Sequence, residues 1–194
     1  MLTKLEVINA MVASTGTAPL ATNDTRHPFY IKASAKLATV SREVQSTGWW
    51  FNKSVRTLQP TLDGELILPS TALHVDPVDR GSKLVRRGTR LFDPDMASYT
   101  IGKPVRINYV ELLEIEEMPP QAVAYIKARA VFEFYLDEDG NEPKLSNYRA
   151  ERDSAWIGFK AEHLKNADVN FFSGTSAMQT GRGNAHRRLP LSDE

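Results

Sequence analysis

Polar and apolar residues are patterned in three successive ways along this chain. From Leu2 to Thr47 apolar positions recur every three or four residues, the period that gathers them on one face of an α-helix. Leu5, Ile8, Met11 and Val12 share such a face. Thr3 and Glu6 have capping-box spacing, Leu2 and Val7 sit where a hydrophobic staple would close the start, and Gly16 supplies a stop. After a loop through Pro19 and Asn23-Asp24-Thr25, Pro28 opens a second helix in whose first turn its missing N–H costs nothing. Tyr30, Ala33, Leu37, Val40 and Val44 form its seam and Gly48 ends it. At about 1.5 Å per residue this helix is roughly 30 Å long.

From Trp49 onward the runs are short and rich in β-branched and aromatic residues, punctuated by Pro60, Pro69, Pro77, Gly81, Pro94, Gly102 and Pro104. Asp63-Gly64, between Val55–Leu58 and Glu65–Leu68, predicts one hairpin, and Arg87-Gly88 before Arg90-Leu91-Phe92 predicts another. Val105 to Val110 reads as a last strand with Val105, Ile107 and Tyr109 on one side. The helical period returns at Pro119-Pro120, with Val123, Ile126, Ala130 and Phe134 on one face until Asp137–Gly140 breaks it. Asn141 can cap a further helix with Pro143 in its first turn and Leu145, Tyr148, Ala155, Trp156 and Phe159 as its apolar side. Arg152 interrupts that stripe, and Gly158 costs about 1 kcal/mol against Ala. From Ser173 Gly, Ser, Thr, Asn and Gln dominate, a composition with too little apolar surface to offset ordering.

The predicted fold is α+β. Residues 1–48 and 112–172 would form a bundle of about four helices, because each amphipathic face needs a partner. Residues 49–111 would form a small antiparallel β domain inserted into it, and 173–194 a flexible tail.

Composition narrows the function more than the fold. The 194 residues are 41% hydrophobic, and 24 basic side chains balance 24 acidic ones, so no overall field draws the chain to nucleic acid or an anionic membrane. There is no cysteine, hence no disulfide, thiolate metal site or cysteine nucleophile. Charged residues interrupt every apolar stretch well before the roughly 18 residues of a membrane span, and no signal-like start is present, so a soluble product is expected.

Enzymatic motifs fail on inspection. Gly174-Thr175-Ser176-Ala177-Met178 has Met where a nucleophile elbow needs Gly, and Gly181-Arg182-Gly183 has His186 where a dinucleotide fingerprint needs its last Gly. Gly81-Ser82-Lys83 and Gly102-Lys103 lack the upstream Gly of a phosphate loop. His27, His74, His163 and His186 are scattered, which suits caps and surface positions. The acidic run Glu111, Glu114, Glu116 and Glu117 could house an acid–base pair but reads more simply as a solvated face or a contact for a basic neighbour.

Three groups stand out as partner contacts. Arg80, Lys83, Arg86, Arg87 and Arg90 are the densest basic cluster. A solvated hairpin, a protein contact and a nucleic-acid site all fit it, the last least, since no aromatic residues interleave for base stacking. Trp49 and Trp50, beside Phe51, fit either burial at the helix–sheet junction or a subunit interface. Arg182, Arg187 and Arg188 in the tail suit charge-assisted anchoring on a partner's carboxylates or carbonyls.

Three segments in order carry a resemblance. Val7-Ile8-Asn9-Ala10-Met11-Val12-Ala13-Ser14-Thr15-Gly16 with Pro19 resembles the opening helix and loop of the tail tubular protein A family of short-tailed bacteriophages. Val44-Gln45-Ser46-Thr47-Gly48-Trp49-Trp50-Phe51-Asn52 is similar to that family's helix end and Phe-Asn strand start, and Val85-Arg86-Arg87-Gly88-Thr89-Arg90-Leu91-Phe92-Asp93 to its hairpin. Glu117-Met118-Pro119 matches more weakly where the second helical pair begins. The resemblance covers residues 4 to 136. It implies a non-enzymatic structural protein without cofactor: a subunit of a dodecameric head-to-tail adaptor ring in the virion tail, assembled in the host cytoplasm. Its implied partners are further copies of itself, the portal protein, the tail nozzle protein and tail fibres. Genomic DNA would pass through without specific binding, and no membrane is involved. Two other functions compete on the residues alone, a tail-associated glycan or cell-wall hydrolase and a DNA-binding accessory protein using the basic hairpin.

Overall fold

The computed structural model describes residues 2–21, 26–79 and 81–173, with side chains described to residue 166. Helix α1 spans Lys4–Ser14, and its start is the expected capping box. The Thr3 hydroxyl accepts the Glu6 N–H while the Glu6 carboxylate accepts the Thr3 N–H at 2.7 Å. Val7, Ile8, Met11 and Val12 are buried. The face is thus turned slightly from the expected one, with Val7 in the core and Leu5 half-buried. Helix α2, Pro28–Ser46, buries its whole expected seam of Tyr30, Ala33, Leu37, Val40 and Val44.

Helix α3, Pro120–Glu138, runs antiparallel to α2, and ion pairs along the seam record that direction: Lys32 with Glu138, Lys36 with Asp137, and Glu43 with Arg129. Asp137 bonded to Lys36 raises the pKa of that lysine above its ordinary value. Helices α1, α2 and α3 enclose one continuous core of Val7, Ile8, Met11, Leu37, Val40, Val123, Ile126 and Phe134, among others. Helix α4, Glu142–Ser173, folds back along α3. Among its described side chains only Leu145 and Phe159 are fully buried, and Phe159 joins the common core, so the expected bundle of four helices is present with α4 as its most exposed member.

Among the described residues all strands fall between Lys53 and Glu111. Strands β1 (Lys53–Leu58), β5 (Val105–Glu111) and β2 (Ala72–Pro77) form an antiparallel sheet in the order β1-β5-β2, and β3 (Val85–Arg87) pairs with β4 (Arg90–Phe92) as a hairpin. The second hairpin is therefore as expected, with Gly88 at φ +62° in its two-residue loop. The first is not. Asp63-Gly64 does turn the chain, with the Gly64 N–H donating to Thr61 O, but Val55–Leu58 pairs with β5 and Glu65–Leu68 lies against β4. Leu66 and Leu68 explain the preference, because only that placement buries both in the lobe core with Leu91, Ile107 and Tyr109. Strand β2 was hidden in the sequence by Pro77 and the polar His74 and Asp76, which face outward while Ala72 and Val75 face in.

Gly48 joins the two parts. Its φ of +79° is left-handed, and a Cβ there would come within 3.0 Å of Val110 on β5, so the helix can turn into the sheet only without a side chain.

Candidate functional site

Where helix gives way to sheet, two buried amides tie the parts together. Gln45, on the last turn of α2, donates from Nε2 to Leu113 O at 3.0 Å and to Ser41 Oγ, and its Oε1 accepts the Leu113 N–H at 2.8 Å. Asn52 accepts the Trp49 N–H at 2.8 Å and donates from Nδ2 to Gln45 O and Glu111 O. The chain enters the lobe at Asn52 and leaves it at Glu111–Leu113, so these side chains clamp both crossings to the helix end. Both are buried and every polar atom is engaged, which is how a polar group is carried inside at no net loss. The sequence held one usable signal, since Gln45 sits beside Val44 on the apolar seam. Asn52 was visible only as the close of the segment from Val44 to Asn52 that carries the resemblance.

Trp49 is 5% exposed and donates from Nε1 to Val44 O. It packs against Phe159, Trp156 and His163 of α4, with ring centroids 4.4, 5.9 and 5.0 Å away. Half-buried Trp50 lies 5.6 Å from Phe159 and 5.7 Å from His163. Both lie at the helix–sheet junction, in the cluster that seats α4. His163, expected at a cap or on the surface, belongs to this cluster.

Of the five clustered basic residues, the four described are engaged within the subunit. Arg86 donates from Nη1 to Ala72 O at 2.9 Å and Leu73 O at 3.0 Å, and from Nε to Gly88 O. It thereby pins the β3–β4 hairpin onto the outer edge of β2. Arg87 lies over the Phe92 ring at 3.6 Å, and Arg90 pairs with Glu65 at 2.8 Å while covering the Tyr99 ring. Lys83 pairs with exposed Asp95. These four side chains thus fasten the lobe, while Lys83, Arg86 and Arg87 remain exposed. Arg80, Arg182, Arg187 and Arg188 lie outside the described residues.

The acidic run is divided in the same way. Glu111 pairs with Arg56, Glu116 accepts the Lys4 N–H at 2.7 Å, and Glu114 and Glu117 cap the short 3-10 turn Ile115–Glu117 reciprocally. Among the described residues no His, Asp and Glu cluster could hold a metal ion, and no helix is long and apolar enough to cross a membrane. A cleft of about 800 Å³ on the lobe is lined by mixed charges including Lys83, Asp93, Asp95 and Lys103.

What the subunit leaves to solvent is more informative. On the outer side of α4, Ala150, Ser154, Ile157, Ala161 and Leu164 follow at spacings of four and three and are all exposed, Ile157 at 69% and Leu164 at 58%. That is helix-packing periodicity with nothing among the described residues packed on it.

Comparison with known proteins gives this arrangement its context. The family model described as Tail tubular protein matches residues 5–168, which takes in both helical segments and the whole lobe. Tail tubular protein A of Klebsiella phage KP34 is 28% identical over 163 residues, covering 84% of this chain and 88% of that protein. The match extends past residue 136, where the sequence resemblance ended, and includes the aromatic seat of α4. A fold of fastened charges, divided carboxylates and an exposed helical seam, matched over most of its length, belongs to the tail tubular protein family, structural proteins of the phage tail and not enzymes.

Proposed function

We propose that this protein is a subunit of the head-to-tail adaptor ring of a short-tailed phage, twelve copies joining the portal to the tail nozzle. The ring would form part of the channel for DNA ejection and the junction to which fibres attach. The observation that carries the reading is the outer face of α4. A 32-residue helix that rests on α3 and turns Ile157 and Leu164 to solvent is poorly satisfied in a monomer. Burying those two side chains against a neighbouring bundle would contribute about 1.5–3 kcal/mol each.

Side-by-side packing of bundles closes a ring when the rotation between neighbours divides a full turn. The lobe then remains a separate surface for partners other than self. The balance of 24 basic against 24 acidic residues suits a conduit, since a strongly basic wall would retain the DNA that has to leave.

Negative-stain images of the purified protein, alone and mixed with portal, test this directly. Rings of uniform diameter, free or docked on the portal, are expected. A protein that stays monomeric under both conditions would overturn the reading.

A further inference from the structure

The two edges of the three-stranded sheet are built differently. The β2 edge is guarded. It carries a bulge between Ala72 and His74, ends in Pro77, and has two of its outward carbonyls, Ala72 O and Leu73 O, taken by Arg86. Strand β1 has none of these devices. It is straight in register with β5 over all six residues, contains no proline, and is exposed along its length, with only Leu58 partly covered.

The direction of its free groups follows from the ladder. Glu111 N–H donates to Asn52 O at 2.9 Å, which makes Asn52–Glu111 a hydrogen-bonded pair. In an antiparallel ladder such pairs alternate, so Ser54, Arg56 and Leu58 turn their N–H and C=O toward β5, and Lys53, Val55 and Thr57 turn theirs outward. Among the described residues nothing pairs with those three. Val55, 53% exposed, stands at the middle of this edge.

From this difference we propose that β1 is a docking edge for an extended, acidic segment of another protein of the particle, added as a fourth strand antiparallel or parallel to β1. Charge selects the occupant. Lys53 and Arg56 lie on the strand itself, and Arg106 lies opposite Thr57 on the neighbouring β5. Only Glu111, already paired with Arg56, offsets them along this edge. A second copy of β1 would bring Lys53 and Arg56 and no carboxylate to answer them. Residues 174–194 would bring Arg182, Arg187 and Arg188 against only Asp193 and Glu194. Like charges on adjacent strands destabilise pairing, whereas an acidic strand gains from each cross-strand pair. Backbone hydrogen bonds would supply affinity, and a β-branched residue beside Val55 would supply packing. This inference stands apart from the ring reading, because the edge lies in the lobe and not on α4.

Residue-resolved amide exchange on the full chain, free and in purified phage particles, tests it. In the free protein the Lys53, Val55 and Thr57 amides should exchange with little protection beside slow Ser54 and Arg56. In particles those three should slow by about a hundredfold or more. Equal exchange in both states overturns the proposal, and so does protection that already appears in self-assembled protein without other particle components. Two variants separate backbone from charge. Val55→Pro removes only an outward N–H, so the subunit should fold and melt normally while incorporation of the partner is lost. Lys53→Glu should weaken that incorporation by about tenfold, with Lys53→Arg unchanged. Should Val55→Pro fail to fold, the exchange measurement on the unmodified chain still decides. Particles carrying folded Val55→Pro subunits that assemble and infect normally would overturn the proposal outright.

Discussion

The helical part and the β lobe of this subunit are held together by different physics. The helices share one continuous apolar core, from Val7 on α1 to Phe159 on α4, with few polar groups inside. The lobe encloses a much smaller core around Leu66, Leu91, Ile107 and Tyr109, and arginines fasten its outside to backbone carbonyls, carboxylates and aromatic faces. Burial scales with size, so a small insert cannot rely on its core as the bundle does. Between them sit Gln45 and Asn52, whose hydrogen bonds belong to both parts. A bundle carrying a separately fastened lobe suits the proposed ring subunit, which would close on itself with one part and reach other partners with the second.

The contrast can be broken at points of decreasing consequence. Phe159→Ala should cost the most, about 3–5 kcal/mol, because it opens a cavity beneath Trp49 and unseats α4. Thermal unfolding should show that loss in the helical signal while the lobe's amide protection changes little. Asn52→Ala comes next, at about 2–3 kcal/mol, since it orphans the buried Trp49 N–H and frees the Glu111 crossing. It should also separate one unfolding transition into two, which calorimetry would register. Arg86→Ala should cost about 1 kcal/mol and act only on the lobe, raising amide exchange in β3 and β4. Arg86→Lys should not restore protection, because an ammonium cannot bridge Ala72, Leu73 and Gly88 as the fork does.

The smallest effect concerns pH. Hydrogen bonds from the Thr3 backbone and hydroxyl hold the Glu6 carboxyl below its ordinary pKa of 4.5. A lowered folded value means the capping box stabilises α1 fully above the unfolded pKa and loses that contribution as pH falls through the folded one. Glu6→Gln keeps the bonds without the titration. It should therefore flatten the acid limb of stability against pH and leave the neutral region nearly unchanged.

How much of this was legible in the sequence follows the same division. Periodicity located the helices well, because the seam of α2 is a property of spacing alone and every predicted seam residue is buried. The lobe was less legible. Asp63-Gly64 is a good turn, yet which strand follows it was decided by where Leu66 and Leu68 find a core, a long-range fact that local turn chemistry does not contain. The basic cluster was visible as composition, but its use was not, since Arg86 reaches carbonyls more than ten residues away in the chain. Gln45 and Asn52 escaped for a related reason: an amide becomes a clamp only through the backbone that other segments bring to it.

The central claim is that the exposed seam of α4 is where copies of this protein meet. Sedimentation velocity on the intact chain, beside the double variant Ile157→Glu and Leu164→Glu, measures that most directly. The account predicts a large homogeneous oligomer, free or upon adding portal, for the unmodified chain, and a monomer of unchanged helical content for the variant under the same conditions. A variant that sediments with the unmodified oligomer would contradict it.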